Sequence, residues 1–121
     1  MFSKRVLLVD DDELVREMVA FFLTESGFNV TAAESGKNAL DIIDKGSFFD
    51  VIVSDMNMPV MSGLELAQEV KSRDLYIPFI FLSGTPCDLS ESKRKELAVA
   101  ECLLKDATLD TQIVNALKKY I

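Results

Sequence analysis

Four apolar runs in this chain break off at residues that carry chemistry. Arg5-Val6-Leu7-Leu8-Val9 runs into Asp10-Asp11-Asp12, and Val51-Ile52-Val53 runs into Ser54-Asp55. Phe79-Ile80-Phe81-Leu82 ends in Ser83-Gly84, and Cys102-Leu103-Leu104 ends in Lys105. Continuous apolar runs of this length are expected of strands covered on both faces. A fifth segment differs: Phe28, Val30 and Ala32 alternate with Asn29, Thr31 and Ala33, the pattern of a half-buried edge strand.

Between the runs the period changes to that of helices. Asp11 or Asp12 can cap a first helix, Asp12 reading as a cap rather than a metal ligand, in which Leu14, Val15, Met18, Phe21, Phe22 and Glu25 follow at helical spacing before Gly27 stops it. Ser35 to Lys45 carries Ala39, Leu40, Ile42 and Ile43 and stops at Gly46. A loop through Pro59 and Gly63 leads to a third helix marked by Leu64, Ala67 and Val70. The strand from Ile77 to Leu82 has Pro78 at its start, where a missing donor is tolerated. A loop over Ser83 to Asp88 leads to a polar fourth helix, capped by Asp88 or Ser90 and running to about Val99. Cys102 to Leu104 is a short fifth strand, and a last helix opens at Thr108 or Asp110 with Ile113, Val114, Leu117 and Tyr120 as its apolar stripe.

Five strand–helix units at this spacing predict a doubly wound α/β sheet, parallel, with helices on both faces. Right-handed crossovers place every strand's carboxyl end on one edge, and ligands bind where the strand order reverses. The alternating segment belongs at a sheet edge and the two most apolar runs in the middle. Asp10, Asp11 and Asp55 then face one another across that switch point. Carboxylates, a hydroxyl and a lysine gathered there make a phosphate and divalent-metal site.

Composition narrows the function. The chain has 121 residues, is 49% hydrophobic and reads as one domain over residues 1–121 with a proper core. A net charge of −7 argues against direct nucleic-acid binding. Without histidine, Ser-His-Asp and Cys-His mechanisms and His-ligated zinc are excluded. Cys87 and Cys102 match no metal spacing and read as reduced thiols. No run is long enough to span a bilayer, and Met1 to Arg5 leads directly into a strand without a signal segment, so a cytoplasmic protein is expected.

Each site residue has a plainer reading. The Asp10–Asp12 run favours a helix N-terminus in its own right, Asp55 can start a turn, Ser83 can simply end a strand, and Lys105 can be a solvated charge. Met56, Met58 and Met61 read as loop and core packing, and Glu91 to Glu96 as a solvated helix face. The joint arrangement favours phosphoryl chemistry over these readings.

The same residues resemble the receiver domain of the bacterial two-component response regulators. The pattern is an acid pair after the first strand, Asp55 after the third, Ser83 after the fourth and Lys105 after the fifth, and Ser54 to Leu66 is similar to the single-domain chemotaxis type. The resemblance implies a flavodoxin-like (βα)5 fold with strand order 2-1-3-4-5. It implies that Asp55 accepts a phosphoryl group from a histidine kinase or phosphotransfer protein. It further implies Mg²⁺, or Mn²⁺ in its place, held by Asp11, Asp55 and the Asn57 backbone, with Asp10 acting through water. Ser83, Gly84 and Lys105 would bind the phosphoryl oxygens. Asn57 and Thr85 would tune the lifetime of the acyl phosphate.

Two positions depart from the family pattern. Asp106 stands where a proline in a cis peptide is usual, and a cis bond before a non-proline costs about 2.5–4 kcal/mol, so a trans bond is expected. Cys102 stands where an aromatic ring is usual, so the ring-flip switch cannot operate in its usual form. The main alternative is a pseudo-receiver, an interaction module that no longer uses phosphate. A small aspartyl-phosphate phosphatase is disfavoured because Asn57 occupies the place of its general acid. The expected chain is a signalling phosphoacceptor and not an enzyme in its own right. It has an unknown downstream protein partner and is a monomer or weak homodimer.

Overall fold

The computed structural model describes residues 3–121. The reading of Met1 and Phe2 therefore lies outside the described residues. Five strands alternate with five helices: β1 (Arg5–Val9), α1 (Glu13–Glu25), β2 (Asn29–Ala33), α2 (Gly36–Asp44), β3 (Val51–Asp55), α3 (Gly63–Ser72), β4 (Phe79–Ser83), α4 (Glu91–Glu96), β5 (Val99–Leu104) and α5 (Leu109–Tyr120). The strands form one parallel sheet in the order β2-β1-β3-β4-β5, as expected. The chain leaves β1 for β2 on one side and β3 on the other, so the switch point lies between β1 and β3.

Alternation along the strands divides the core between two faces. Leu7, Val9, Ile52, Phe79 and Phe81 pack with α2 and α3. Val6, Leu8, Val51, Val53, Ile80 and Leu82 pack with α1 and α5. β3 and β4 are buried along their whole length, whereas β2 is only partly covered. Each fully buried Leu, Ile or Val contributes about 1.5–3 kcal/mol relative to an exposed one. Helix starts follow the polar caps: Asp12, Ser35, Ser62 and Ser90 each accept a backbone N–H from the residue three positions on.

Four expectations are corrected. In α1 the buried residues are Val19 and Leu23, with Val15 packed beside them; Leu14, Met18 and Phe21 face outward. The apolar positions of α1 make two stripes, and the outward one held most of the predicted residues. The fourth helix ends at Glu96, not near Val99, because Ala98 takes a positive φ of 58° and turns the chain back into the sheet. Its carbonyl then accepts the Phe79 N–H at 2.8 Å. The fifth strand accordingly begins at Val99, three residues early, with a register irregularity against β4. The fourth strand begins at Phe79, with Ile77 buried just ahead of it.

Gly63 is required for a packing reason. A Cβ built there would lie 2.6 Å from the Asp55 carbonyl oxygen and 2.9 Å from the Phe81 ring. The Gly63 N–H also donates to the Met56 carbonyl at 2.9 Å. α3 thus starts pressed against the end of β3. We predict that Gly63→Ala lowers stability by about 1–3 kcal/mol, the usual cost of overpacking. Equilibrium urea unfolding checks this, and an unchanged midpoint would show that the contact yields freely.

Candidate functional site

The site lies at the carboxyl edge of the sheet, where β1, β3, β4 and β5 all end. Hydrophobic strands drive Asp10 and Asp55 to this edge, and burial follows from the packing around them. Asp10 is fully buried, Asp55 is 6% exposed, and Asp11 is exposed. One carboxylate oxygen from each of the three lies within 4.8 Å of the others. Such an all-oxygen, anionic donor set suits a hard divalent cation and offers nothing to a soft one.

Lys105 reaches into this cluster from the end of β5. Its Nζ is 3.1 Å from Asp55 Oδ2 and 3.5 Å from Asp10 Oδ2. The Lys105 backbone N–H donates to the Ser83 carbonyl at 2.8 Å, which ties the ends of β4 and β5 together. Burial pushes the Asp10 carboxyl above the usual carboxylate range, against the Asp12 N–H and the Lys105 charge, which pull it down. For Lys105, burial is the largest single influence and acts downward. Asp10 and Asp55 together outweigh it and hold the ammonium above its ordinary value.

The other predicted residues surround this cluster. The Asn57 N–H donates to Asp55 Oδ1 at 3.3 Å, and its side chain is on the surface. Ser83 is buried at the end of β4; its Oγ accepts the Thr85 N–H at 3.2 Å and lies 3.5 Å from Thr85 Oγ1. Gly84 is exposed with open space around its α-carbon. Asp12 serves as the cap of α1 and not as a member of the cluster.

Arg16 escaped the sequence reading. Its Nη1 donates to the Asp10 carbonyl at 2.8 Å. Its place one turn beyond the Asp12 cap was the available signal, but a charge in an exposed helix start looks solvated. Ser54, buried beside Asp55, donates its hydroxyl to the Asp55 carbonyl at 3.0 Å. Met58 is buried and Met56 and Met61 pack against the core, as expected.

The two departures have local explanations. No described residue has a cis peptide bond, so Lys105–Asp106 is trans. Asp106 bonds the Thr108 N–H at 2.8 Å and the Thr108 hydroxyl at 2.7 Å. It is spent on the turn into α5, where Thr108 makes no side-chain cap of its own. Cys102 is half-buried opposite Phe81 and packs against the α2/α3 core. Burial first, and then the Cys87 thiol, push its pKa up to about 12.

Comparison with known proteins places these features. The sequence model described as the response regulator receiver domain matches residues 6–118. The autoinducer 1 sensor kinase/phosphatase LuxN of Vibrio campbellii is 34% identical over 119 residues, which cover 98% of this chain and 13% of LuxN. The chain therefore spans only a small part of that relative. Among solved structures, the chemotaxis response regulator CheY4 of Vibrio cholerae superposes with a TM-score of 0.86 at 30% identity, covering 99% of this chain and all of CheY4. The response regulator TrrA of Thermotoga maritima, solved in complex with Mg(2+)-BeF, gives a TM-score of 0.84 at 30% identity over 98% of this chain and 99% of TrrA.

The Thr108 bonds hold the exposed Asp106 carboxyl below the usual carboxylate range. A depressed folded value adds stability above the unfolded value of about 3.9, and that stability is lost as pH falls through the folded value. We predict that Asp106→Ala lowers Tm at pH 7 and that the deficit closes under acid conditions. A deficit independent of pH would contradict this.

Proposed function

The chain belongs to the response regulator receiver domain family, and on that premise we propose that Asp55 accepts a phosphoryl group from a histidine kinase or phosphotransfer protein in a Mg²⁺-dependent step. It is a receiver domain of two-component signalling with a phosphoacceptor fold. The observation that carries the proposal is the Lys105 ammonium, 3.1 Å from Asp55 Oδ2, facing a cluster of Asp10, Asp11 and Asp55.

Transfer begins with an Asp55 carboxylate oxygen attacking phosphorus. The P–N bond of the donor phosphohistidine breaks, and the imidazole leaves with the bonding pair. The product is an acyl phosphate, a high-energy link suited to a transient signal. Lys105 exchanges its contact with Asp55 for one to the phosphoryl oxygens. The Ser83 hydroxyl and the Gly84 N–H donate to the same group, so the chain's part is mainly positioning and electrostatics. Ser83 Oγ can do so while still accepting the Thr85 N–H, because a hydroxyl donates and accepts at once. Asn57 and Thr85 flank the approach of the hydrolytic water and set the lifetime of the link.

Asp11, Asp55 and the Asn57 backbone would hold Mg²⁺, or Mn²⁺, with Asp10 acting through water. When bound, the cation neutralises charge on the transferring oxygens. The three gathered carboxylates support this assignment, as does a similar regulator described in complex with Mg(2+)-BeF. Sensor kinases among the relatives support a kinase or phosphotransfer partner. Catalysis extends only to the domain's own phosphorylation and dephosphorylation.

Cys102 shapes the output. A thiol has neither the volume nor the torsion of an aromatic ring, so the activation change is smaller than the ring-flip form or is carried by the loop from Ser83 to Asp88.

Incubation with Mg²⁺ and acetyl phosphate, followed by intact-protein mass spectrometry, tests the reading. One added phosphoryl group is expected, absent in Asp55→Ala and absent with chelator. No gain, even from a promiscuous histidine kinase, would leave the chain as a phosphorylation-independent interaction module.

A further inference from the structure

Asp10 is held on every side. Its N–H donates to the Ala33 carbonyl of β2 at 3.2 Å. Its Oδ1 accepts the Asp12 N–H at 2.9 Å, its Oδ2 lies 3.5 Å from Lys105 Nζ, and its carbonyl accepts Arg16 Nη1 at 2.8 Å. The Arg16 bond is the only one of these that closes a ring from α1 back to the end of β1. Between its ends lie Asp11, the exposed carboxylate of the cluster, and Asp12, the cap of α1.

We infer that Arg16 is a positioning residue for the cation site: by clamping the Asp10 carbonyl it fixes the exit of the chain from β1 and so the place of the Asp11 carboxylate. The inference deepens the receiver reading and rests on it for the identity of the cation. A guanidinium here has two effects of opposite sign. Its charge repels a divalent cation and weakens binding. Its hydrogen bond pre-orders the loop that presents Asp11, which strengthens binding by removing an ordering penalty. The bond is charge-assisted and at least partly buried, so the second effect dominates.

Two substitutions separate the effects. Arg16→Gln keeps a donor and loses the charge; Arg16→Met loses both and keeps the aliphatic length. Calorimetric titration with magnesium chloride reads the affinity. Amide hydrogen exchange of Asp12 in metal-free protein reads the clamp without any cation. Arg16→Met should bind Mg²⁺ about tenfold more weakly and exchange the Asp12 amide faster, since one charge-assisted bond is worth about that factor. Arg16→Gln should retain slow exchange and bind at least as tightly as the wild type.

Arg16→Met binding as tightly as the wild type or tighter, or with its exchange unchanged, would overturn the inference. Should Arg16→Met fail to fold, Arg16→Ala, which also removes the donor, decides: Asp12 exchange accelerated about tenfold supports the clamp, and exchange unchanged from the wild type overturns it. If the wild type takes up no Mg²⁺, the proposed Mg²⁺-dependent phosphoacceptor role falls, while exchange in the metal-free proteins still decides whether Arg16 clamps the loop.

Discussion

Three carboxylates at one end of a buried sheet are the constraint on which this structure depends. Two of them, Asp10 and Asp55, are almost wholly removed from solvent. With carboxylate oxygens no more than 4.8 Å apart and an effective dielectric near 20, a pair of such charges repels by about 3 kcal/mol or more. The Lys105 ammonium, 3.1 and 3.5 Å from these two acids, attracts each by about 5 kcal/mol on the same scale. One lysine therefore offsets the repulsion between the two buried acids. It leaves the exposed Asp11 uncompensated, and the site retains a net demand for positive charge.

Much of the fold serves to keep that arrangement rigid. The buried strands β1 and β3 sit side by side and end together, so Asp10 and Asp55 meet without any long loop to order. Gly63 brings α3 hard against the Asp55 carbonyl, and the Met56 N–H bonds the Leu82 carbonyl at 2.9 Å. On the far side, the bond from Lys105 N–H to the Ser83 carbonyl fixes the lysine's backbone. Asp106 bonds Thr108 at the turn into α5, the Lys105–Asp106 peptide is trans, and Lys105 reaches both Asp10 and Asp55.

The sheet and its order were legible because the strands are short, apolar and end in punctuating polar residues. The cluster was legible for the same reason, since topology carries strand ends to one edge. Local backbone geometry was not. Val60, Asp74 and Ala98 all take positive φ, a state ordinarily favoured by glycine, and no pattern of side chains announces it. Ala98 alone shifted the α4–β5 boundary. The face of α1 was ambiguous because Leu14, Met18 and Phe21 are as well spaced as Val15, Val19 and Leu23, and only packing separates them. Arg16 was missed because its partner is a backbone carbonyl, which sequence does not display.

The central claim is that the carboxylate cluster is built to receive a divalent cation. Equilibrium unfolding by urea at increasing Mg²⁺ concentration, for the wild type and Asp11→Asn, tests it most directly. A ligand that binds only the folded state stabilises it in proportion to the logarithm of its concentration once above the dissociation constant. Mg²⁺ should raise the wild-type midpoint progressively and move that of Asp11→Asn much less. A wild-type midpoint indifferent to Mg²⁺, or an equal rise in both proteins, would contradict it.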